Sequence, residues 1–418
     1  MTAAAPRSDA AASPSGAAAA PRSDAAAPQP HPGPWAGVRV VDFSGLAGAY
    51  GTRVWAALGA EVIAVEPPDG NLLRTIPPLH PELTGPEAGL WWAYYGAGKA
   101  SVVLDPDDPH DAATLAELAA SADVVVDDSP PALQDRPGWG RADSQRRNPA
   151  LTWVSVTPFG MTGPHRDWAG SDLIAWAACG LASTVGFPDR PPLAPAAQVQ
   201  LLMHVASMDV VLGAMLALRG RDRGAPGQRI DVSLQEVGLS IAPETGVPLY
   251  LDDQAERPRA GNRRPVTSPM GLYPASDGFV SLIAIQPNHW NAVAKWIHEE
   301  TGNEGVLDPA FVNMATRMET LEAVDAWTEE VTTAHTKLEL FVEGQRRGIP
   351  ITPVNTVADL RGDPHLEAVG WWRREEHPTL GTYTVPGSPF MTDGDWWAWT
   401  RAPLLGEHTE QVCEALTS

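Results

Sequence analysis

The stretch VVDFSGLAGAYGTRVWAALGAEVIAVEPP (residues 40–68) has the order of a strand, a glycine-rich turn, a helix, a second strand and an acid. This order predicts a βαβ unit of an open parallel sheet. Glu66 stands where a dinucleotide-binding fold holds a ribose hydroxyl. However, Gly45, Gly48 and Gly51 are three residues apart, whereas a nicotinamide-type turn needs its first two glycines separated by one residue. The unit predicts a small-residue turn whose amides face an anionic ligand or serve packing alone.

Short β-branched runs alternate with Ala- and Leu-rich stretches on the C-terminal side of this unit. They predict strands at residues 38–43, 61–65, 101–105, 123–127 and 151–156, with helices at 52–58 and 111–120 between them. A buried helix is expected at residues 201–218. We therefore predict an α/β fold with a Rossmann-like parallel sheet in its large domain.

Four segments are expected along the chain. Residues 1–36 repeat APRSDAAA and carry almost no large apolar side chains, which predicts a disordered Ala/Pro-rich arm. Residues 37–220 form the N-terminal part of the large domain, and the basic turn-rich run at 219–228 separates it from a smaller α+β domain at 225–332. Residues 333–418 are predicted to return to the large domain.

Composition excludes several classes of function. A formal charge of -22 over 418 residues argues against nucleic-acid binding. Apolar runs are too short for a membrane span. Cys179 and Cys413 are too few for a disulfide framework or a cysteine metal site, so we expect a cytoplasmic protein without a metal.

The segment VSVTPFGMTGPHRDWAGSDLIAWAACG (residues 154–180) places an acid beside this predicted sheet. A strand leads into a Gly- and Pro-rich loop, and Ser171 and Asp172 then begin an apolar helix. A carboxylate at a helix N-terminus is held ionised and can attack a thioester. The same residue is also an ordinary helix cap, and the segment alone leaves both interpretations open.

Four motifs in order resemble the class III CoA-transferase family, which includes formyl-CoA and carnitine CoA-transferases and α-methylacyl-CoA racemases. They are the 40–68 unit, TPFGMTGP with its GSDL helix start, GIPITPVNTVADLRGDPHL (348–366), and PGSPF (386–390) with RAPLLGEHTEQV (401–412). The resemblance runs from about residue 37 to the C-terminus. It implies a CoA-transferase that forms an interlocked homodimer, with no permanently bound cofactor and with acyl-CoA and a carboxylic acid as substrates.

The resemblance also assigns roles to residues. Asp172 takes the position of the catalytic aspartate, which forms a mixed anhydride and then an aspartyl-CoA thioester, and the amides of Gly160 and Gly163 stabilise the oxyanion. The residues expected to contact CoA are Ala47, Gly48, Lys99, Asp128 and Arg136, of which Lys99 and Arg136 suit its phosphates.

Some positions depart from the family pattern and keep alternatives open. Asp127, Asp128 and Ser129 replace an acid-Asn-Phe motif, and their charge disfavours an anionic ligand. This would suit a non-catalytic partner subunit of a hetero-oligomeric transferase. Racemisation is less favoured because Ser171, rather than His, precedes Asp172. A nicotinamide-dependent oxidoreductase is disfavoured by the glycine spacing.

Overall fold

A six-stranded parallel sheet lies at the centre of the computed structural model, which describes residues 33–194, 200–241, 259–263, 267–394 and 396–417. Its strands are β1 (Arg39–Asp42), β2 (Glu61–Glu66), β3 (Ala100–Val103), β4 (Val124–Asp127), β5 (Thr152–Thr157) and β6 (Arg229–Ser233). They lie in the order β3-β2-β1-β4-β5-β6. This is the doubly wound Rossmann order, which confirms the predicted α/β class and parallel sheet.

Helices cover both faces of this sheet, which is why strands such as β2 and β4 carry unbroken apolar runs, VIAV and VVV. The helices of this part are α1 (Ala49–Ala57), α2 (Leu90–Tyr95), α3 (Pro109–Ser121), α4 (Pro131–Gln134), α5 (Arg141–Arg147), α6 (Asp172–Ala178), α7 (Leu201–Arg221) and α8 (Leu234–Ser240). One core joins the sheet to α1, α6, α7 and α8. A second core joins its other face to α3 and the C-terminal helix.

Helix α7 is the central helix of the first core. Within the described residues it alone is long and apolar enough to cross a membrane, but Leu202, Ala206 and Val210 are buried in the core with the sheet. Gly51 of α1 lies directly against it, because a Cβ at that position would stand 2.3 Å from the backbone oxygen of Ser207. The amide of Gly51 also donates to the Ser207 hydroxyl at 2.7 Å.

A second, antiparallel sheet has its own core. It pairs β7 (Met270–Ala275), β8 (Gly278–Ile283) and β9 (Ile351–Pro353) in that order. The helices in this part of the chain are α9 (Pro287–Thr301), α10 (Met314–Glu319), α11 (Leu321–Ala334) and α12 (Lys337–Arg347). Trp290, Val324, Leu340 and Ile351 are buried together between sheet and helices.

Strand pairing moves both predicted boundaries of the smaller domain. The segment 229–233, which the prediction placed in that domain, hydrogen-bonds in parallel to β5 and buries Val232 in the first core. The segment 351–353, which the prediction placed in the returning segment, pairs antiparallel with β8. The expected limits 225 and 332 are therefore wrong for these two strands.

The C-terminal segment closes the β3 edge of the parallel sheet. After α13 (Val357–Arg361), α14 (Pro364–Ala368) and the hairpin of β10 (Arg373–His377) and β11 (Gly381–Val385), the chain ends in α15 (Thr409–Thr417). The amide of Ser101 donates to Nδ1 of His408 at 3.2 Å, and its hydroxyl accepts from the amide of Gly406 at 2.8 Å. The amide of Val103 donates to the Thr409 hydroxyl at 2.9 Å.

The predicted arm lies mostly outside the described residues, since these begin at 33. In its last part, Trp35 stacks on Trp55 of α1 with ring centroids 5.4 Å apart, and its amide donates to the carbonyl of Leu58 at 3.1 Å. The end of the arm at residue 36 is therefore wrong, because Trp35 already packs on the first core.

Candidate active site

The carboxyl ends of β1, β4 and β5 meet at one edge of the parallel sheet. Strand order reverses between β1 and β4, and open α/β sheets bind ligands outside such a reversal. Three connections leave this edge: the glycine turn at 45–48, the loop at 128–136 and the loop at 158–171. All the residues predicted for the site except Lys99 and Asp172 lie in these connections, and Asp172 directly follows the third.

Asp172 lies at the N-terminal ends of two helices. It is the first residue of α6, which the hydroxyl of Ser171 caps by accepting from the amide of Ile174 at 3.4 Å. Its own carboxylate accepts from the amide of Met203, in the first turn of α7, at 3.0 Å. Unpaired amides and the positive end of each helix dipole stabilise a negative charge at this point. Asp172 is 7% exposed, so most of its surface is covered by the protein.

The glycine loop before Asp172 turns through left-handed backbone. Gly160 has φ 85° and Gly163 has φ 89°, a region that other residues enter only with strain. The amide of Met161 between them is already occupied, since it donates to both carboxylate oxygens of Asp231, at 3.1 and 2.9 Å. The role of Gly160 and Gly163 as oxyanion donors stays a prediction.

Asp128 occupies the amides of the glycine turn. Its carboxylate accepts from the amide of Gly45 at 2.9 Å and from the amide of Ala47 at 3.1 Å. Burial raises the pKa of Asp128 to about 7, and the nearby charge of Asp127 adds to this while the two amides oppose it. The sequence predicted Ala47, Gly48 and Asp128 as CoA contacts. In the structure, the amide of Ala47 instead donates to the carboxylate of Asp128.

Lys99 has internal partners in this structure, and they argue against its predicted contact with a CoA phosphate. The residue is 2% exposed. Its ammonium donates to the Asp42 carboxylate and to the Thr52 hydroxyl, both at 2.8 Å, and to the carbonyl of Ala49 at 3.3 Å. Because an ammonium has three protons, this set uses all of them. Lys99 thus links the end of β1, through Asp42, to the first turn of α1, through Ala49 and Thr52.

Arg136 is the other cation that we predicted to bind a phosphate of CoA. Its guanidinium lies 5.5 Å from the ring centroid of Trp139, and among the described residues no carboxylate lies within ion-pair distance of it. Its loop is tied to the loop before Asp172, because Arg166 pairs with Asp135 at 3.0 Å. A cation without an ion-pair partner among the described residues, beside the loop at 158–171, suits a phosphate group.

Sequence reasoning missed a polar pair at the start of α7. The hydroxyl of Tyr95 is hydrogen-bonded to Nε2 of His204, and Nδ1 of His204 lies 2.8 Å from the carbonyl of Gln200. A carbonyl only accepts, so Nδ1 carries a proton, and in a neutral imidazole Nε2 then accepts from the Tyr95 hydroxyl. His204 follows Met203, whose amide binds Asp172. A histidine within the apolar run LLMHVASM was the signal that could have indicated it.

Comparisons with known proteins identify the family. Residues 35–409 match CoA-transferase family III. The chain is 32% identical over 365 residues to the succinyl-CoA:(R)-benzylsuccinate CoA-transferase subunit BbsE of Thauera aromatica, covering 84% of this chain and 86% of that protein. It is 30% identical to the succinyl-CoA--D-citramalate CoA-transferase of Chloroflexus aurantiacus, covering 81% and 82%.

A solved structure shares the whole fold. A CAIB/BAIF family protein from Brucella suis superimposes with a TM-score of 0.81 at 26% identity, covering 92% of this chain and 99% of that one. The family match and the named relatives together identify an enzyme of the CoA-transferase class. The chain belongs to CoA-transferase family III.

Proposed function

We propose that this enzyme moves CoA from an acyl-CoA to a free carboxylic acid through covalent intermediates on Asp172. The observation that carries the proposal is the position of this carboxylate, between the N-termini of α6 and α7 and 7% exposed at the sheet edge. Such a position favours a charged nucleophile and holds it still.

Four displacements complete the reaction. An oxygen of Asp172 attacks the thioester carbonyl and the C–S bond breaks. CoA leaves as a thiolate, and a mixed anhydride remains on Asp172. The thiolate then attacks the carbonyl of Asp172 and releases the donor acid, which leaves an aspartyl-CoA thioester. The acceptor carboxylate attacks this thioester to give a second anhydride, and the thiolate takes the new acyl group and frees Asp172.

Two groups near Asp172 would assist these steps. Gly160 and Gly163 would offer amides to the oxyanion of each tetrahedral intermediate. Arg136 would bind a phosphate of CoA, since its guanidinium has no carboxylate partner among the described residues. CoA enters as a substrate and not as a resident cofactor, and we place the reaction in the cytoplasm.

The named relatives indicate which substrates to try first. Their names pair succinyl-CoA with benzylsuccinate, citramalate or mesaconate, and acetyl-CoA with oxalate. The free acids in this set are dicarboxylates. We therefore propose succinyl-CoA as the first donor and a panel of dicarboxylic acids as acceptors.

A partner-subunit function is the second candidate. The relative from Thauera aromatica is named as a subunit, and Asp128 fills a turn that could otherwise face CoA. Racemisation has less support, because Ser171 takes the place before Asp172.

Trapping the intermediate on the purified chain separates these candidates. With succinyl-CoA and hydroxylamine, the catalytic chain gains a hydroxamate on the tryptic peptide that contains Asp172, seen by mass spectrometry, whereas a non-catalytic subunit gains none. Asp172→Asn should lose both the adduct and exchange. Asp167→Asn is the matched control, since Asp167 is in the same loop and its side chain is 76% exposed. Equal exchange in Asp172→Asn and the unchanged enzyme would refute the mechanism.

The predicted interlocked homodimer belongs to the same proposal. Leu201, Met208, Leu212 and Leu216 are exposed on α7 at spacings that put them on one stripe of the helix. A second copy would cover this stripe. Light scattering should give twice the mass of the chain, and a monomer with full activity would contradict it.

A further inference from the structure

The turn after β1 is filled by a charge of the protein itself. At the reversal point of a doubly wound sheet, this turn presents backbone amides toward the ligand side. Here the amides of Gly45 and Ala47 both donate to Asp128, across 83 and 81 positions of sequence. An internal carboxylate therefore takes the place that a ligand oxygen could otherwise have.

Further acids surround this carboxylate. Asp127 precedes it at the end of β4, and Asp42 lies at the end of β1. The two nearby cations already interact with these acids. Lys99 forms an ion pair with Asp42, and the charge of Arg136 attracts Asp127. An anionic group brought to the turn would meet the ionised carboxylate of Asp128 at hydrogen-bond distance from the same amides, and like charges at that range repel strongly.

We propose that Asp128 is a specificity-determining residue of the CoA site, whose ionised carboxylate holds the turn amides and keeps CoA out until it is neutralised. This inference rests on the proposed function only in taking CoA as the ligand. A neutral carboxyl can yield the amides to a ligand oxygen without leaving an unpaired charge buried. Burial raises the pKa of Asp128 to about 7, so the neutral form is present near neutral pH.

The expected change in CoA affinity follows from the fraction of molecules in which Asp128 is neutral. If only the neutral form admits CoA, the apparent affinity is scaled by the fraction that is protonated. With a pKa of about 7, that fraction is about one tenth at pH 8 and about nine tenths at pH 6. Asp128→Asn keeps an acceptor oxygen but removes the charge. It should bind CoA about tenfold tighter than the unchanged chain at pH 8 and nearly equally at pH 6.

Calorimetric titration of CoA into the full chain at pH 6 and pH 8, at constant ionic strength, tests this. Asp127→Asn is the matched control. It removes a neighbouring charge, but the Asp127 carboxylate binds the amide and hydroxyl of Ser129 and not the turn. We expect it to change the affinity less than threefold at pH 8. Asp128→Ser provides a second uncharged variant, and thermal unfolding checks that each variant is folded.

Each other result overturns the proposal. An affinity of Asp128→Asn within twofold of the unchanged chain at pH 8, an equal gain at both pH values, or an equal gain in Asp127→Asn would show that occupancy of the turn does not control binding. Absence of CoA binding in every variant would do the same. The proposed function fails separately, through exchange that persists in Asp172→Asn.

Discussion

Replacing Lys99 by methionine should destabilise the fold without acting on a ligand contact. Its ammonium and the Asp42 carboxylate are 2.8 Å apart, and each side chain is 1% exposed. Methionine keeps most of the volume but leaves Asp42 charged and buried. Breaking a buried pair in this way costs about 3–5 kcal/mol, because the remaining charge is uncompensated.

The expected shift of the unfolding temperature follows from that cost. For a cooperative unit of roughly 250 residues, a loss of 1 kcal/mol lowers the midpoint by about 2 °C. Lys99→Met should therefore unfold about 6–10 °C below the unchanged chain in a calorimetric or circular-dichroism scan. The double variant Lys99→Met with Asp42→Asn should recover part of this loss, because the buried charge is gone.

CoA affinity measured on the same variants decides between the two roles of Lys99. We expect the affinity of folded Lys99→Met, measured well below its midpoint, to stay within about twofold of the unchanged chain. An unchanged midpoint together with an affinity at least tenfold weaker would refute the reasoning and restore Lys99 as a phosphate contact.

Four further outcomes are expected. Arg136→Met should weaken CoA binding by about tenfold or more, since it removes a charge-assisted hydrogen bond, with little change in midpoint; unchanged calorimetric affinity would count against it. Gly51→Ala should lower the free energy of unfolding by about 1–3 kcal/mol, because its Cβ would overpack against α7. Gly220→Ala is the control without this loss, since its added Cβ meets nothing nearer than 3.7 Å. Urea titration compares the two variants. Because burial raises the pKa of Asp127 to about 6, its neutral form stabilises the fold at low pH, and this contribution is lost as the pH rises from about 4 through 6. As the pH rises through that window, Asp127→Asn should therefore become more stable relative to the unchanged chain. A difference in the free energy of unfolding, measured in urea, that stays constant with pH would contradict this. Acceptor acid labelled with ¹⁸O should pass label into the released donor acid through Asp172, and mass spectra without label there would exclude the anhydride route.

The parallel sheet was predictable because its strands are local features. Runs such as the three valines at residues 124–126 are buried on both faces, so they are apolar and stand out between polar residues. Strand β6 was placed in the wrong domain because the basic, turn-rich run at 219–228 was interpreted as a domain boundary. In the structure this run connects α7 to β6, which pairs with β5 in the same sheet.

Within the site, the sequence indicated which residues are present but not what they bind. Asp172 stood out because a helix start can be identified within one segment, and the family resemblance then gave it the catalytic position. The contact of Asp128 with Gly45 and the pair of Lys99 with Asp42 join distant positions. No spacing rule shows whether a charged side chain will meet a ligand or another part of the chain.

Closure of the β3 edge by the last residues has a consequence for biosynthesis. Ser101 is synthesised about 300 residues before His408 and Gly406, its partners across 307 and 305 positions. The amides at this strand edge therefore lack these partners until residues 406–409 have been synthesised and have left the ribosome. Cells that make truncated products of this gene should accumulate them in inclusion bodies or degrade them, because an open strand edge invites association with other chains.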